Sequence, residues 1–376
     1  MRKNKNPFVF GKIVGDENFC NRAHEIKELQ QNINNTYSVW LFAPRRYGKS
    51  SLVKQVFKQT KNVKTIYFDF YNIESVDDFS RRYSDLLSKE LFNWKDEIKT
   101  ISENVKHYFS SLSPKISFTD DGIPELTLAQ QQLNKQNDIT TILNIPEKIA
   151  KSSNINICIA FDEFQEISRI DKFIVNWMRS EFQNQEKVSY IFLGSKQSLM
   201  ENIFTNINSP FYEYAVKMDI KPIDRRELYN YLHNKFENNS IIVNDEIINE
   251  ILNKSRCHPH FTQHFASVIY DIKSLDVDIS NEDLKMQWMA KIINSQSLIF
   301  QNIYDGLSNN QRKVLWLIAK QVEEIYSNYT RNKYNLPATS SITASITALL
   351  KKNLIEINNN AYIISNPVLK EWLLGL

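Results

Sequence analysis

The sequence predicts an α/β fold, a doubly wound parallel sheet followed by a helical segment and a C-terminal winged helix-turn-helix. Three observations carry that expectation. Two short apolar runs, Val39 to Phe42 and Ile157 to Phe161, stop abruptly at polar clusters, as strands covered on both faces of a parallel sheet do. Further apolar runs recur at spacings long enough for crossover helices. After Pro222 the pattern turns helical, and it ends in helix, linker, helix and two short strands.

Taken in order, the strand candidates are Val39 to Phe42, Ile66 to Phe70, Ile157 to Phe161, Val188 to Leu193 and roughly Ala215 to Ile220. The stretch from Asp77 to Lys151 is longer than one crossover needs. It holds a helical pattern and then an alternating segment, Ser113 to Leu128, whose Asp120-Asp-Gly122 predicts a small hairpin. This insertion is either a partner-binding excursion or a mobile loop. Helices are expected over Arg225 to Phe236, Asp245 to Ser255 and Pro259 to Ile272. From near Ser308 a third unit reads as a helix over Gln311 to Glu324, a break around Asn328 to Asn335 and a helix over Ser340 to Lys352. Strands at Leu354 to Ile357 and Ala361 to Ile364 close it as a wing. The division is therefore 1–222 for the sheet unit with an insertion at about 77–151, 223–304 for a helical lid, and 305–376 for the winged helix.

The first strand runs into Ala43-Pro44-Arg45-Arg46-Tyr47-Gly48-Lys49-Ser50-Ser51. This is a phosphate-binding loop of the form Gly-x-x-x-x-Gly-Lys-Ser/Thr, with Ala43 in place of the leading glycine. Gly48 permits the positive φ that turns backbone N–H groups inward, and a helix starting near Lys49 aims its positive dipole end at the same place. Lys49 would reach the β and γ phosphates of ATP, and Ser50 would ligate magnesium. A strand turning through Gly-Lys-Ser into a helix with no nucleotide matches part of the same pattern.

The run Ile157 to Phe161 ends at Asp162-Glu163. Ligands gather at the carboxyl ends of parallel strands, so both motifs are expected at one sheet edge. Asp162 would hold the magnesium shell through water or the Ser50 hydroxyl, and Glu163 would orient or deprotonate the attacking water. The other reading of an acidic pair is the start of a solvated helix. Its conjunction with the loop favours ATP hydrolysis.

Composition bounds the remaining possibilities. A chain of 376 residues is long for one domain. Its 46 basic and 43 acidic residues give a net charge of +3, so no whole-chain nucleic-acid signature exists and any DNA contact must be local. Arg2, Lys3, Lys5 and Lys12 make a short basic terminus of the kind that is ordinarily a frayed, solvated end. Cys20, Cys158 and Cys257 lack zinc-ribbon or disulfide spacing. No run reaches membrane-helix length and no apolar signal core opens the chain, which predicts a cytoplasmic protein. Cys257-His258-Pro259-His260 with His264 has the residue types of a zinc site, but no second pair closes a tetrahedron.

At this point the residues resemble a family. The segment Asn6-Pro-Phe-Val-Phe-Gly-Lys-Ile-Val-Gly-Asp-Glu-Asn-Phe-Cys-Asn-Arg22, the loop Ala43 to Ser50, Ala160-Phe-Asp-Glu-Phe-Gln-Glu-Ile167, Phe192-Leu-Gly-Ser195 and His258-Pro259 are similar to the archaeal-type ATPases of archaea and bacteria. That family belongs to the STAND branch of P-loop NTPases and is related to origin-recognition initiator ATPases. The resemblance covers roughly the first 270 residues. Its Pro-Arg-Arg-Tyr-Gly-Lys and Phe-Asp-Glu-Phe-Gln signatures are specific to the family, whose members commonly lack the first loop glycine. It implies an ASCE/AAA-like P-loop NTPase core with a helical lid. By the same resemblance Phe19, Asn21 and Arg22 would lie beside the adenine. Ser195 would be the polar sensor on the strand between the two nucleotide-site strands, and His258-Pro259 would be a sensor carried by the lid. Arg179 is the candidate arginine finger, or else a solvated helix charge. Arg45 and Arg46 would meet phosphate or a partner, or stack on Tyr47.

Two functions follow from different classes. One is an ATP- and Mg²⁺-dependent molecular switch read by an unidentified protein partner, with oligomerisation open. The other is a nucleotide-gated, initiator-like DNA-binding regulator. In it Ser341, Thr343, Ser345 and Thr347 would reach bases or phosphates, with Lys351 and Lys352 near the backbone. The recognition helix is poor in Arg, Gln and Asn, the usual base readers. A binding-only pseudo-ATPase is argued against by Lys49, Ser50, Asp162 and Glu163.

Overall fold

The computed structural model describes residues 5–92, 114–118, 124–128, 135–276, 278–358 and 361–376. They divide into two compact units. One is Ile13–Pro222; the other joins Ile223–Leu376 with the stretch up to Lys12.

The first unit is built on five parallel strands, β1 (Val39–Phe42), β2 (Val63–Asp69), β5 (Asn156–Asp162), β6 (Val188–Gly194) and β7 (Val216–Asp219), in the order β2-β5-β6-β1-β7. All five predicted strands are present, β1 with the predicted ends and the other four with ends shifted by at most three residues. The sheet is covered by helices that include α1 (Ala23–Asn34), α2 (Lys49–Gln59), α3 (Val76–Phe92), α4 (Lys135–Ser153), α5 (Ile174–Phe182) and α6 (Gln197–Phe204). Within the predicted insertion, β3 (Pro114–Phe118) and β4 (Pro124–Leu128) pair antiparallel as the expected hairpin. Its turn at Asp120-Asp-Gly122 lies outside the described residues.

The alternation of side chains across each strand makes the two faces of this sheet chemically different. Ile157, Ile159 and Phe161 of β5, Tyr190 and Phe192 of β6, and Phe68 of β2 join Phe70, Phe79, Tyr83, Phe164, Phe182, Phe204 and Phe211 in an aromatic core. Cys158 and Ala160 of β5, Ile191 and Leu193 of β6, and Val39 and Leu41 of β1 point the other way. They pack with Leu52, Val53 and Val56 of α2. Small residues on that face let α2, and with it the loop that begins it, sit close to the sheet.

The second unit starts with α7 (Arg225–Glu237), α8 (Asp245–Ser255), α9 (Pro259–Leu275) and α10 (Asn281–Asp305). Asp224, Asn244 and Ser280 cap the starts of α7, α8 and α10 with their side chains. Residues 5–12 belong here: the Asn6 amide donates to the Ser267 carbonyl at 2.9 Å and to Asp271 at 2.8 Å. Phe8 lies 4.6 Å from Phe236, and Phe10 stacks on His264 at 4.4 Å. His264 and His260, two members of the sequence's cysteine-histidine cluster, thus flank an aromatic ring.

The winged helix follows as α11 (Asn309–Ala319), α12 (Asn328–Lys333), α13 (Thr339–Lys351), β8 (Ile355–Asn358), β9 (Ala361–Ile364) and α14 (Pro367–Leu374). Three expectations are corrected here. The helix predicted to Glu324 ends at Ala319, because the chain reverses through Gln321 at φ 57°. The predicted break contains the short helix α12, started by the Ser327 cap. Ser345 does not face outward to bases or phosphates: it is buried, and its hydroxyl donates to the Ser341 carbonyl at 2.8 Å. Thr343 and Thr347 are exposed, but each hydroxyl donates to the carbonyl four residues back, which commits their donors to their own helix.

Candidate functional site

Strand β1 ends at Phe42, and the chain turns through Pro44 to Gly48 before α2 begins at Lys49. Gly48 carries φ 87°, the left-handed conformation expected of it, and Arg46 also takes a positive φ of 64°. The buried Lys49 ammonium donates to the Ala43 carbonyl at 2.7 Å and the Pro44 carbonyl at 3.2 Å. Its side chain therefore curls back along the loop it serves. Burial lowers the Lys49 pKa to about 8 against the opposing pull of Glu163 and Asp162. Arg45 and Arg46 are exposed on the loop.

The buried Asp162 ends β5, and the Ser50 hydroxyl donates to its Oδ2 at 2.6 Å. The loop strand and the acidic strand thus meet side chain to side chain, although β6 lies between them in the sheet. Glu163 follows in the left-handed region at φ 50°, which turns its carboxylate off the strand axis. Glu163 Oε2 accepts the Ser195 hydroxyl at 2.9 Å and the Gln165 side-chain N–H. Gln165 is almost wholly buried, and its other end accepts the Ser195 backbone N–H at 3.3 Å. One amide thereby joins the acidic turn to the end of β6.

Lys49, Ser50, Asp162, Glu163 and Ser195 are therefore brought together. The Ser51 hydroxyl accepts the Val14 N–H at 3.1 Å and anchors the incoming chain to α2. Arg22 is buried, and its guanidinium donates to the carbonyls of Tyr47 at 3.0 Å and Lys221 at 2.9 Å and to Glu25. It clamps the loop from behind. Asn21 is exposed and its side chain accepts the Ala23 N–H, while Phe19 packs partly against the aliphatic core.

Arg179 is not part of this cluster. The Arg179 guanidinium lies 4.7 Å from the Tyr214 ring centroid and donates to Gln183 at 3.0 Å. Tyr214 precedes β7, so Arg179 is held toward the amino ends of the strands, opposite the loop. His258 and Pro259 belong to the second unit, where the His258 ring caps α9 by accepting the His260 N–H at 3.2 Å. The backbone just before them is left-handed at Arg256 and Cys257, φ 52° and 55°. No group of three or more His, Cys, Asp or Glu suited to a metal occurs among the described residues.

Sequence reasoning missed Gln165 and Tyr67 as site residues. The Tyr67 phenol donates to Asp162 Oδ2. Gly194 is the available signal for Gln165: a Cβ there would fall 2.6 Å from Gln165 Oε1 and 2.4 Å from Met200 Cγ. We expect Gly194→Ala to cost about 1–3 kcal/mol as overpacking and to loosen the Glu163-Ser195 pair, read by denaturant unfolding and by a fall in ATP turnover. Unchanged values in both would show that Gln165 has room to yield.

Comparison with known proteins places these features. Residues 19–254 match the family described as an ATPase domain predominantly from Archaea, and residues 298–375 match a probable winged helix domain. Among solved structures, the Walker-type ATPase paby2304 of Pyrococcus abyssi is 20% identical with a TM-score of 0.63, over 99% of each chain. The ADP form of the Aeropyrum pernix ORC2 protein is 13% identical with a TM-score of 0.52, over 96% of this chain and 97% of that one. Both likenesses are of fold. No curated protein matches the chain.

Proposed function

The chain belongs to the family of ATPase domains found predominantly in Archaea, and from that premise we propose that it is a magnesium-dependent ATPase working as a nucleotide-controlled switch. The observation that carries this is the convergence of the loop and acidic strands, with Ser50 bonded to Asp162 and Glu163 bonded to Ser195. The donor set suits magnesium: a hydroxyl and a carboxylate 2.6 Å apart, hard oxygens few enough to leave room for phosphate and water. When bound, the ion would neutralise charge on the β and γ phosphates.

The chain's own residues do the rest. The inward N–H groups of the loop and the Lys49 ammonium bind the phosphates, with Lys49 exchanging loop carbonyls for phosphate oxygens. Ser50 and Asp162 hold the ion. Glu163 Oε1, on the side away from Ser195 and Gln165, orients the attacking water and takes its proton. Ser195 reports the γ phosphate, because its hydroxyl leaves or keeps Glu163 according to whether phosphate is there to accept it. Phe19, Asn21 and Arg22 sit ahead of the loop as the adenine-side element. Arg179, engaged with Tyr214, is assigned a packing role in its own chain.

In the second unit, 223–304 serves as the lid with His258-Pro259 as its sensor, and 305–376 is the element whose arrangement a protein partner reads. Lys254 and Glu371 at 2.6 Å, and Arg256 with the Ile364 carbonyl at 2.5 Å, join the two within that unit. No helix among the described residues is long and apolar enough to cross a membrane, and three free thiols suit a reducing cytoplasm.

The DNA-binding reading ranks second. Exposed Lys351 and Lys352 favour it, whereas α13 offers bases no outward hydroxyl donor at Ser345, Thr343 or Thr347. Steady-state ATP turnover with Mg²⁺, with EDTA, and with duplex DNA at two salt concentrations tests both. Metal-dependent turnover indifferent to DNA supports the switch. DNA stimulation that fades steeply with salt supports the second reading, and no turnover under any condition would refute the ATPase.

A further inference from the structure

The geometry points to Tyr67 as a positioning residue for the metal side of the nucleotide site, holding the Asp162 carboxylate in the orientation from which it accepts the Ser50 hydroxyl hydrogen bond. This inference rests on the nucleotide reading above.

Along β2, Ile66 and Phe68 enter the aromatic core, while Tyr67 turns to the opposite face with Val63. The strand residues described on that face are otherwise aliphatic, small or polar, so a tyrosine there departs from the pattern of its own sheet. Tyr67 pairs with Ala160 and Asp69 with Asp162. The phenol therefore reaches from beside Ala160 to the carboxylate at the strand end, and a small neighbour leaves room for the ring.

Three donors fix the Asp162 carboxylate. Oδ2 accepts both the Tyr67 phenol and the Ser50 hydroxyl, and Oδ1 accepts the Glu163 backbone N–H at 2.9 Å. The Lys54 ammonium lies 4.8 Å from the ring centroid and helps hold the ring. With its proton committed to Asp162, Ser50 has only lone pairs to offer toward the loop, which is what a hard cation requires. Without the phenol the carboxylate keeps two donors instead of three. It gains freedom about its terminal torsion, and Ser50 loses its fixed direction. Partners of this kind outside the ligand shell typically change metal affinity 10–100-fold when removed.

The test is equilibrium binding of a fluorescent ATP analogue with excess Mg²⁺ and with EDTA, for wild type, Tyr67→Phe, Asp162→Asn and the double variant. Phe keeps the ring and its packing, and metal-free affinity serves as the folding control. The expected result is that the Mg²⁺-dependent gain in affinity falls about tenfold or more in Tyr67→Phe while metal-free affinity is unchanged. In the double variant the loss matches Asp162→Asn alone. An undiminished Mg²⁺ gain in Tyr67→Phe, a fall in metal-free affinity to the same extent, or full additivity in the double variant overturns the assignment. Wild type binding no nucleotide in either buffer refutes the nucleotide reading itself, an outcome separate from any behaviour of the variant.

Discussion

Lys49→Met is expected to weaken nucleotide binding at least about a hundredfold, because a charge-assisted contact to two phosphates is lost. Stability should change little. The resting side chain donates to the Ala43 and Pro44 carbonyls, bonds to a charged donor worth about 1.5–3 kcal/mol. The same ammonium is buried at a cost visible in its pKa of about 8, and methionine keeps the apolar stem. These terms oppose one another, so calorimetry should give a midpoint near wild type while titration with a fluorescent nucleotide shows no saturation. The pKa adds a sign. The unliganded protein loses the Lys49 proton above about pH 8, and bound phosphates restore it, so wild-type affinity should fall by up to about tenfold per unit above that point. Affinity equal to wild type in Lys49→Met would remove the phosphate site from this loop.

Glu163→Gln is expected to leave ATP affinity within about threefold of wild type and to lower turnover by about 10²–10⁴, the usual contribution of a positioned general base. The asymmetry of the carboxylate explains the separation. Oε2 receives both the Ser195 hydroxyl and the Gln165 amide, and the oxygen of a glutamine can accept both. Its NH₂ then replaces Oε1, presenting a donor where the attacking water needs an acceptor. Single-turnover hydrolysis alongside equilibrium binding checks both halves. Turnover retained in Glu163→Gln would move the base elsewhere, with Asp162 or the substrate phosphate the candidates to examine next.

The parts of this molecule that the sequence makes legible are those written in consecutive residues. The central strands β1, β5 and β6 and the loop are visible because burial on both faces demands continuous apolar runs and a phosphate turn demands Gly48, while the edge strands β2 and β7 show in shorter, interrupted apolar runs. Asp162 and Glu163 are visible because strand ends are where a chain changes from apolar to polar. Tyr67 is not, since one tyrosine in an apolar strand reads as core until its partner 95 positions away is known. Gln165 sits inside a recognisable signature, yet its use depends on the Ser195 N–H, 30 positions on. Arg22 is singled out only by the family resemblance, as part of the adenine-side segment, and its contacts with the Tyr47 and Lys221 carbonyls need the folded chain. Ser345 shows the opposite error. A hydroxyl residue on a helix is taken as outward by its polarity, while bonding to its own backbone lets it be buried without an unpaired group.

The grouping of residues 5–12 with 223–376 makes the nucleotide unit an insert within a host domain that is discontinuous in sequence. Residues 13–222 can be excised as one uninterrupted piece, but the host cannot. A polypeptide beginning at Ile223 would lack Asn6, Phe8 and Phe10, uncovering Phe236, Tyr270 and His264. Cleavage at Pro222 alone would leave the host fragments held by those rings, as a nicked protein rather than two halves.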